Sequence, residues 1–192
     1  MSSTESGGDD MVAAVLDVLP HGRSDDDRPQ HQKEPLAYAL GIEEFYIYEL
    51  TLSDDADIAF GDRIDLTEFG RVREREFDDL PSGARSELEY AVEEVVEADE
   101  GRFVDFYNDA QPITLRLHQL NLLPGIGKKL RNTILDERKR KPFESFEDLG
   151  ERVSGLHNPE EVLVERILEE LREDDLKYRL FVRRSEQGEG GE

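Results

Sequence analysis

Cysteine is absent from the sequence, which excludes disulfides, thiolate nucleophiles and cysteine-held zinc or iron–sulfur centres. No apolar run approaches the roughly 20 residues that cross a bilayer as a helix, so a membrane is not among the expected partners. The first ten residues are Ser, Gly and acid where a secretory signal would have a basic stretch before an apolar one. The chain is therefore expected to be soluble and cytoplasmic. Lysine is scarce, occurring only at 33, 128, 129, 139, 141 and 177. Asp and Glu number 47 against 24 Lys and Arg, for a formal charge of -23. Such acidity can signal disorder, but strand and helix patterns continue through most of the chain. The expected molecule is a folded, halophilic protein adapted to molar salt, where a Debye length of about 3 Å screens self-repulsion, with an acidic mesophile protein as the plainer alternative.

With 192 residues the chain can bury a core, as one compact body or two small domains. Residues 1–10 and 185–192 read as frayed tails of Gly, Ser and acid. Residues 11–19, rich in Val, read as a strand stopped by Pro20-His21-Gly22. Residues 21–34 read as a long exposed loop. Phe45-Tyr46-Ile47-Tyr48-Glu49-Leu50 is a dense strand signal, and residues 61–66 alternate apolar with polar as a half-buried strand does. Residues 71–77 alternate less cleanly. Short strands with turns between them predict a small barrel of OB or related type over 11–80.

The period changes at Asp79-Leu80-Pro81-Ser82. Residues 81–111 are expected to form a connecting helix ended by Gly101, then a joint built on Phe103, Val104, Phe106 and Tyr107. Pro112 suits the first position of a helix running through Leu123. Gly127 should open another helix to about Lys141, stopped by Pro142. Residues 148–153 suit a short helical turn. Asn158-Pro159-Glu160-Glu161 is a strong helix start, with a capping Asn, a first-turn Pro and acids against the dipole. Residues 175–184 read as a last strand returning to the barrel. The expected class is α+β, with the barrel joined to a helical module over 112–174.

The stretch that carries chemistry is Leu122-Leu123-Pro124-Gly125-Ile126-Gly127-Lys128-Lys129. Two glycines allow backbone angles and a closeness of approach that side chains would block. The amides after Gly127 belong to a helix N-terminus without internal partners, at the positive end of the dipole. Such a terminus holds phosphate, and Lys128 and Lys129 sit where they add charge. Ile126 should plug the space between the helices, and Ile134 can face the same core. From Arg116 to Lys141 there are eight bases (Arg116, Lys128, Lys129, Arg131, Arg138, Lys139, Arg140, Lys141) and two acids. In a chain that otherwise discards lysine, this basic segment points to nucleic-acid contact. Compensation of a helix C-terminus by Arg138, Lys139, Arg140 and Lys141 is the plainer alternative.

These residues resemble the helix-hairpin-helix superfamily, whose pattern continues through Ile134 and Arg138 to Pro142-Phe143-Glu144-Ser145-Phe146-Glu147-Asp148-Leu149. Arg131 departs from it, standing where a small residue usually permits close packing. The paired motif is expected at Val153-Ser154-Gly155-Leu156, which lacks the second glycine and reads as a degenerate hairpin serving structure. With Val15-Leu16-Asp17, Glu44-Phe45, Arg102-Phe103-Val104, Pro112-Ile113-Thr114, Arg116-Leu117-His118, residues 166–171 and residues 177–181, the likeness extends over nearly the whole chain. Together they resemble an archaeal family of predicted RNA-binding proteins, the domain of unknown function 655. The resemblance implies an OB-like barrel joined to a helix-hairpin-helix module. Encoded near ribosomal-protein and rRNA-modification genes, members of that family point to ribosome biogenesis or translation.

The leading expectation is a non-catalytic nucleic-acid-binding protein that takes RNA (rRNA or tRNA), with DNA as an alternative. It needs no cofactor and no metal. Phe45, Tyr46 or Tyr48 can supply stacking, although strand aromatics are more often core; alternation puts Phe45 with Ile47 on one face and Tyr46 with Tyr48 on the other. If about two phosphates are neutralised, a tenfold rise in salt weakens binding on the order of fifty-fold. In molar salt, backbone amides and stacking must then carry more than Lys and Arg do. A nuclease or base-excision enzyme is the second reading, since both classes use this hairpin. Asp148 sits in a packing segment where helix capping explains it, Asp25-Asp26-Asp27 and Asp54-Asp55-Asp57 are candidates only by abundance, and the four histidines lack metal-ligand spacing. Docking of ribosomal or processing proteins is the third.

Overall fold

A computed structural model describes residues 11–184, and both tails assigned from the sequence lie outside the described residues. The protein is α+β, with a five-stranded antiparallel sheet and five α-helices among the described residues. Its contacts divide it into two units, one holding residues up to 91 and from 171 onward, the other holding 92–170. The boundaries fall inside the first and last helices.

The first unit is the sheet: β1 (Val12–Leu19), β2 (Leu36–Gly41), β3 (Ile47–Thr51), β4 (Arg63–Asp65) and β5 (Arg71–Arg75), in the order β4-β1-β2-β3-β5. One face carries the buried cluster of Ala13, Val15, Ala37, Ala39, Leu50, Leu52, Ile64 and Leu66. The sequence pattern pointed to a barrel, but this sheet is open. β4 and β5 pair with β1 and β3 and form the two edges. β4 is only three residues long, and β5 is mostly Arg and Glu, so both edges are short or charged and discourage further pairing.

β2 is the strand the sequence hid. Its Ala37 and Ala39 are weak strand formers, yet they lie in the middle of the sheet, opposite Leu50 and Tyr48 of β3. Their small side chains leave space for those larger neighbours. Between Val15 and Asp17 the β1–β2 register shifts, making Leu16 a bulge that pairs Asp17 with Tyr38. The Asp17 carboxylate then lies against the first turn of α1 (Ser82–Ala98): a Cβ on Gly83 would stand 2.7 Å from Asp17 Oδ2. An anion at that helix end is favourable, and only glycine leaves it room.

On the opposite face Tyr38 donates its hydroxyl hydrogen to Glu49 Oε2 at 2.7 Å, and Arg23 donates to the Tyr38 oxygen at 2.6 Å and to the Asp79 carbonyl at 2.7 Å. The expected 21–34 loop is present and is pinned at this arginine. Within it Asp25 is paired with Arg23 and Asp26 with Arg28, so these acids neutralise local bases. The strand expected over 175–184 is not formed. The chain there is irregular, and the Arg183 amide donates to the Glu44 carbonyl at 2.9 Å.

The second unit is helical: the later part of α1, then α2 (Glu100–Asp109), α3 (Lys128–Arg140), α4 (Phe146–Arg152) and α5 (Pro159–Arg172). The break between α1 and α2 falls at Asp99, so Gly101, read as a stop, lies inside α2. Phe103, Val104 and Tyr107 are buried, and the Tyr107 hydroxyl donates to the Pro159 carbonyl at 2.6 Å. The helix predicted from Pro112 to Leu123 does not exist. Instead a tight turn closes by a bridge between Pro112 and His118, followed by a 3-10 segment, Gln119–Leu122. The cause is local: Thr114 Oγ1 accepts from the amides of Arg116 and Leu117 at 3.2 and 3.0 Å, diverting them from a helical ladder.

Candidate nucleic-acid interface

The Leu123–Gly127 turn reverses the chain between the 3-10 segment and α3. Gly125 takes φ +79°, where L side chains are strained, and the Ile126 amide closes the turn on the Leu123 carbonyl at 3.3 Å. Ile126 is buried, as is Ile134 two turns into α3. Both glycines face outward, and a Cβ built on either would meet nothing within 4 Å. Gly127 caps α3 in extended conformation, with its carbonyl accepting from Arg131 N at 2.9 Å. The first-turn amides of α3 therefore point away from the helix, past exposed backbone.

The charges at this helix end run against its dipole. α2, α4 and α5 each place acid in the first turn, which is the stabilising choice. α3 has no acid there and begins with exposed Lys128 and Lys129. Each lysine costs the isolated helix about 0.3–1 kcal/mol. The start of α3 thus breaks the charge preference that the starts of α2, α4 and α5 follow.

Asn121 braces the turn: it donates from Nδ2 to the Ile126 carbonyl at 3.3 Å and accepts Arg131 Nη1 at 2.9 Å on Oδ1. Arg131, the departure from the small residue usual at that position, is thus a strut between α3 and the 3-10 segment. His118 Nδ1 accepts the Leu120 amide at 3.1 Å, so the ring acts as a neutral cap. Burial, with Arg138 and Arg131 nearby, holds its pKa below the ordinary 6.5. From α5, Arg166 pairs with Glu170 at 2.8 Å inside the unit and donates to the Leu122 carbonyl at 3.3 Å, immediately before the turn.

The ten basic and turn residues picked from the sequence separate into two groups. Gly125, Ile126, Gly127, Lys128, Lys129 and Arg131 lie together. Arg138, Lys139, Arg140 and Lys141 lie at the other end of α3, some 18 Å away at about 1.5 Å per residue. That second group is largely occupied. Arg138 Nη1 donates to the carbonyls of Tyr107 and Ala110 at 3.1 and 3.0 Å, Arg140 pairs with Glu137, and Lys141 pairs with Glu144. Arg152 also covers this end, donating to the Glu137 and Lys141 carbonyls at 2.6 and 2.7 Å. Asp148 accepts the Glu144 amide and pairs with Arg152, which holds its pKa low.

The stacking candidates fare unevenly. Phe45 is 1% exposed, lies before β3 and takes φ +60°, a strained conformation for an aromatic residue. It is a core anchor and cannot stack on a base. Tyr46 and Tyr48 are half-buried with ring centroids 6.1 Å apart, and Tyr48 packs against the sheet's apolar cluster.

One element beside the turn escaped the sequence reading. Leu115 and Arg116 form the tip of the Thr114 turn, and with Leu117, Asn121, Lys128 and Arg131 they line an open recess of about 560 Å³. The alternation Ile113, Leu115, Leu117 was the available signal; it has the period of extended chain, whereas a helix start was read at Pro112.

Comparisons place the whole architecture. The chain is 40% identical over 178 residues to the uncharacterized protein MJ0038 of Methanocaldococcus jannaschii, covering 89% of this chain and 79% of that protein. It superposes with a TM-score of 0.81 on the crystal structure of Af1531 from Archaeoglobus fulgidus, at 41% identity over 90% of this chain and 99% of that one. Residues 9–183 match the family model described as "Protein of unknown function (DUF655)". The chain belongs to this DUF655 family of uncharacterised archaeal proteins.

Proposed function

We propose that the protein is a non-catalytic RNA-binding protein that grips a phosphate of the backbone at the start of α3, using Leu123–Gly127 as the turn of a helix-hairpin-helix. The observation that carries this reading is the pair of exposed lysines and exposed glycines at a helix N-terminus, in a chain of charge -23 whose other basic cluster is largely paired within the protein. Backbone amides would supply geometry and the lysines attraction. rRNA and tRNA are the expected targets, in ribosome biogenesis or translation, and DNA is the alternative substrate. Contact with one or two phosphates gives a shallow salt dependence, the behaviour a halophilic protein needs.

Gly127→Val tests the reading. Gly127 sits at φ -88° with no neighbour near its Cβ, so valine fits the fold while filling the approach to the amides. The variant should melt close to wild type and bind a structured RNA roughly tenfold or more weaker, the loss of a charge-assisted hydrogen bond. A folded Gly127→Val that binds as wild type does would refute the clamp. A salt titration whose slope corresponds to six or more released ions (roughly the lower end for strongly electrostatic binders) would refute the amide-based mechanism.

A further inference from the structure

The tip beside the turn has a feature that phosphate clamping does not use. Leu115 has a relative exposure of 106%, whereas the next most exposed large apolar side chain among the described residues, Tyr90, has 49%. The tip is stiffly held: the Leu117 carbonyl accepts the amides of Ile113 and Thr114 at 2.8 and 3.0 Å, and Thr114 Oγ1 holds those of Arg116 and Leu117. Gln119 N to Gln111 O at 3.0 Å closes the base of the arm. The adjoining recess is lined by Arg116, Lys128 and Arg131 and by no acid. A protein-docking surface would present a contiguous apolar patch depleted of charge at its centre. A fully exposed leucine beside a recess lined by three cations suits a polyanion with apolar faces inside it.

Building on the clamp proposed above, we propose that Leu115 is a wedge that enters the base stack of the bound RNA at an unpaired position, while Arg116 and Arg131 face the flanking backbone. Apolar side chains on a fixed arm are used in this way to separate bases. Burying one leucine recovers a free energy comparable to that of opening a single stacked step. The wedge therefore favours RNA in which a base is already unpaired and the opening costs least.

The test uses the full chain and two RNAs: a stem-loop with 2-aminopurine in a one-nucleotide bulge, and its fully paired counterpart. Wild type should bind the bulged RNA about tenfold tighter than the paired one and should change the 2-aminopurine emission. Leu115→Ser should lose both the preference and the emission response while keeping its affinity for paired RNA, and Leu115→Met should restore them. Leu115→Ser behaving as wild type on the bulged RNA would overturn the wedge and leave the clamp standing. Wild type that binds neither RNA would overturn the clamp, and the wedge with it.

Discussion

Residues 123–126 and 153–156 follow the same backbone course, after which α3 begins at Lys128 and α5 one position later, at Pro159. Gly125 and Gly155 are both left-handed, at φ +79° and +95°. In each turn the next amide closes on the carbonyl three residues back, Ile126 to Leu123 at 3.3 Å and Leu156 to Val153 at 3.2 Å. Ile126 and Leu156 are both buried as plugs. The solvent side is where the two turns part. After Ile126 come Gly127, Lys128 and Lys129, all exposed. After Leu156 come His157, Asn158 and Pro159, then Glu160 and Glu161 at the start of α5. Pro159 removes one outward amide. Burial, with Glu97, Glu100, Glu93 and Glu161 nearby, raises the pKa of Glu160 above its ordinary value, so this helix start is electrostatically crowded with negative charge. The plug and the left-handed glycine are common to both turns and serve packing, whereas the second glycine and the positive charge belong to the first turn alone.

Paired alanine substitutions give the largest expected effects. Gly125→Ala and Gly155→Ala each force a side chain into left-handed backbone, costing about 1–2 kcal/mol, read as a lower melting temperature. Only Gly125→Ala should also weaken RNA binding, because only its turn lies on the proposed interface. Equal binding losses in both variants would erase the distinction.

A smaller effect concerns the support of the first turn. The folded pKa of His118 lies below 6.5, so the neutral ring's contribution to stability is present above 6.5 and is lost as pH falls through the folded value. Asparagine can accept the same Leu120 amide without titrating. Wild type should therefore lose stability relative to His118→Asn as pH drops below 6.5, measured by thermal melts across pH. A constant difference would mean that the ring is not a neutral cap.

Much of this arrangement could be read from residue pattern, for identifiable reasons. Gly127 as the start of α3, Pro142 beyond its end and Pro159 in the first turn of α5 are fixed by backbone chemistry that acts locally. β2 was missed because alanine advertises no strand, and its position depends on what packs opposite it. The 112–118 turn was misread because Pro112 suits a helix start, while the deciding hydroxyl of Thr114 acts two and three residues further on. Within the candidate site the glycines and Lys128–Lys129 were evident. The separation of Arg138–Lys141 from them was not: the sequence counts charges, but it cannot show that Tyr107 and Ala110 carbonyls already hold Arg138.

The measurement that bears most directly on the central claim is an amide-resolved NMR titration of the protein with a structured RNA. The account predicts the largest shifts at the amides of Gly125, Gly127, Lys128, Lys129 and Leu130, and little change at Gly155, Leu156, His157 and Asn158. Shifts concentrated at the second turn or on the sheet, with the start of α3 silent, would contradict it.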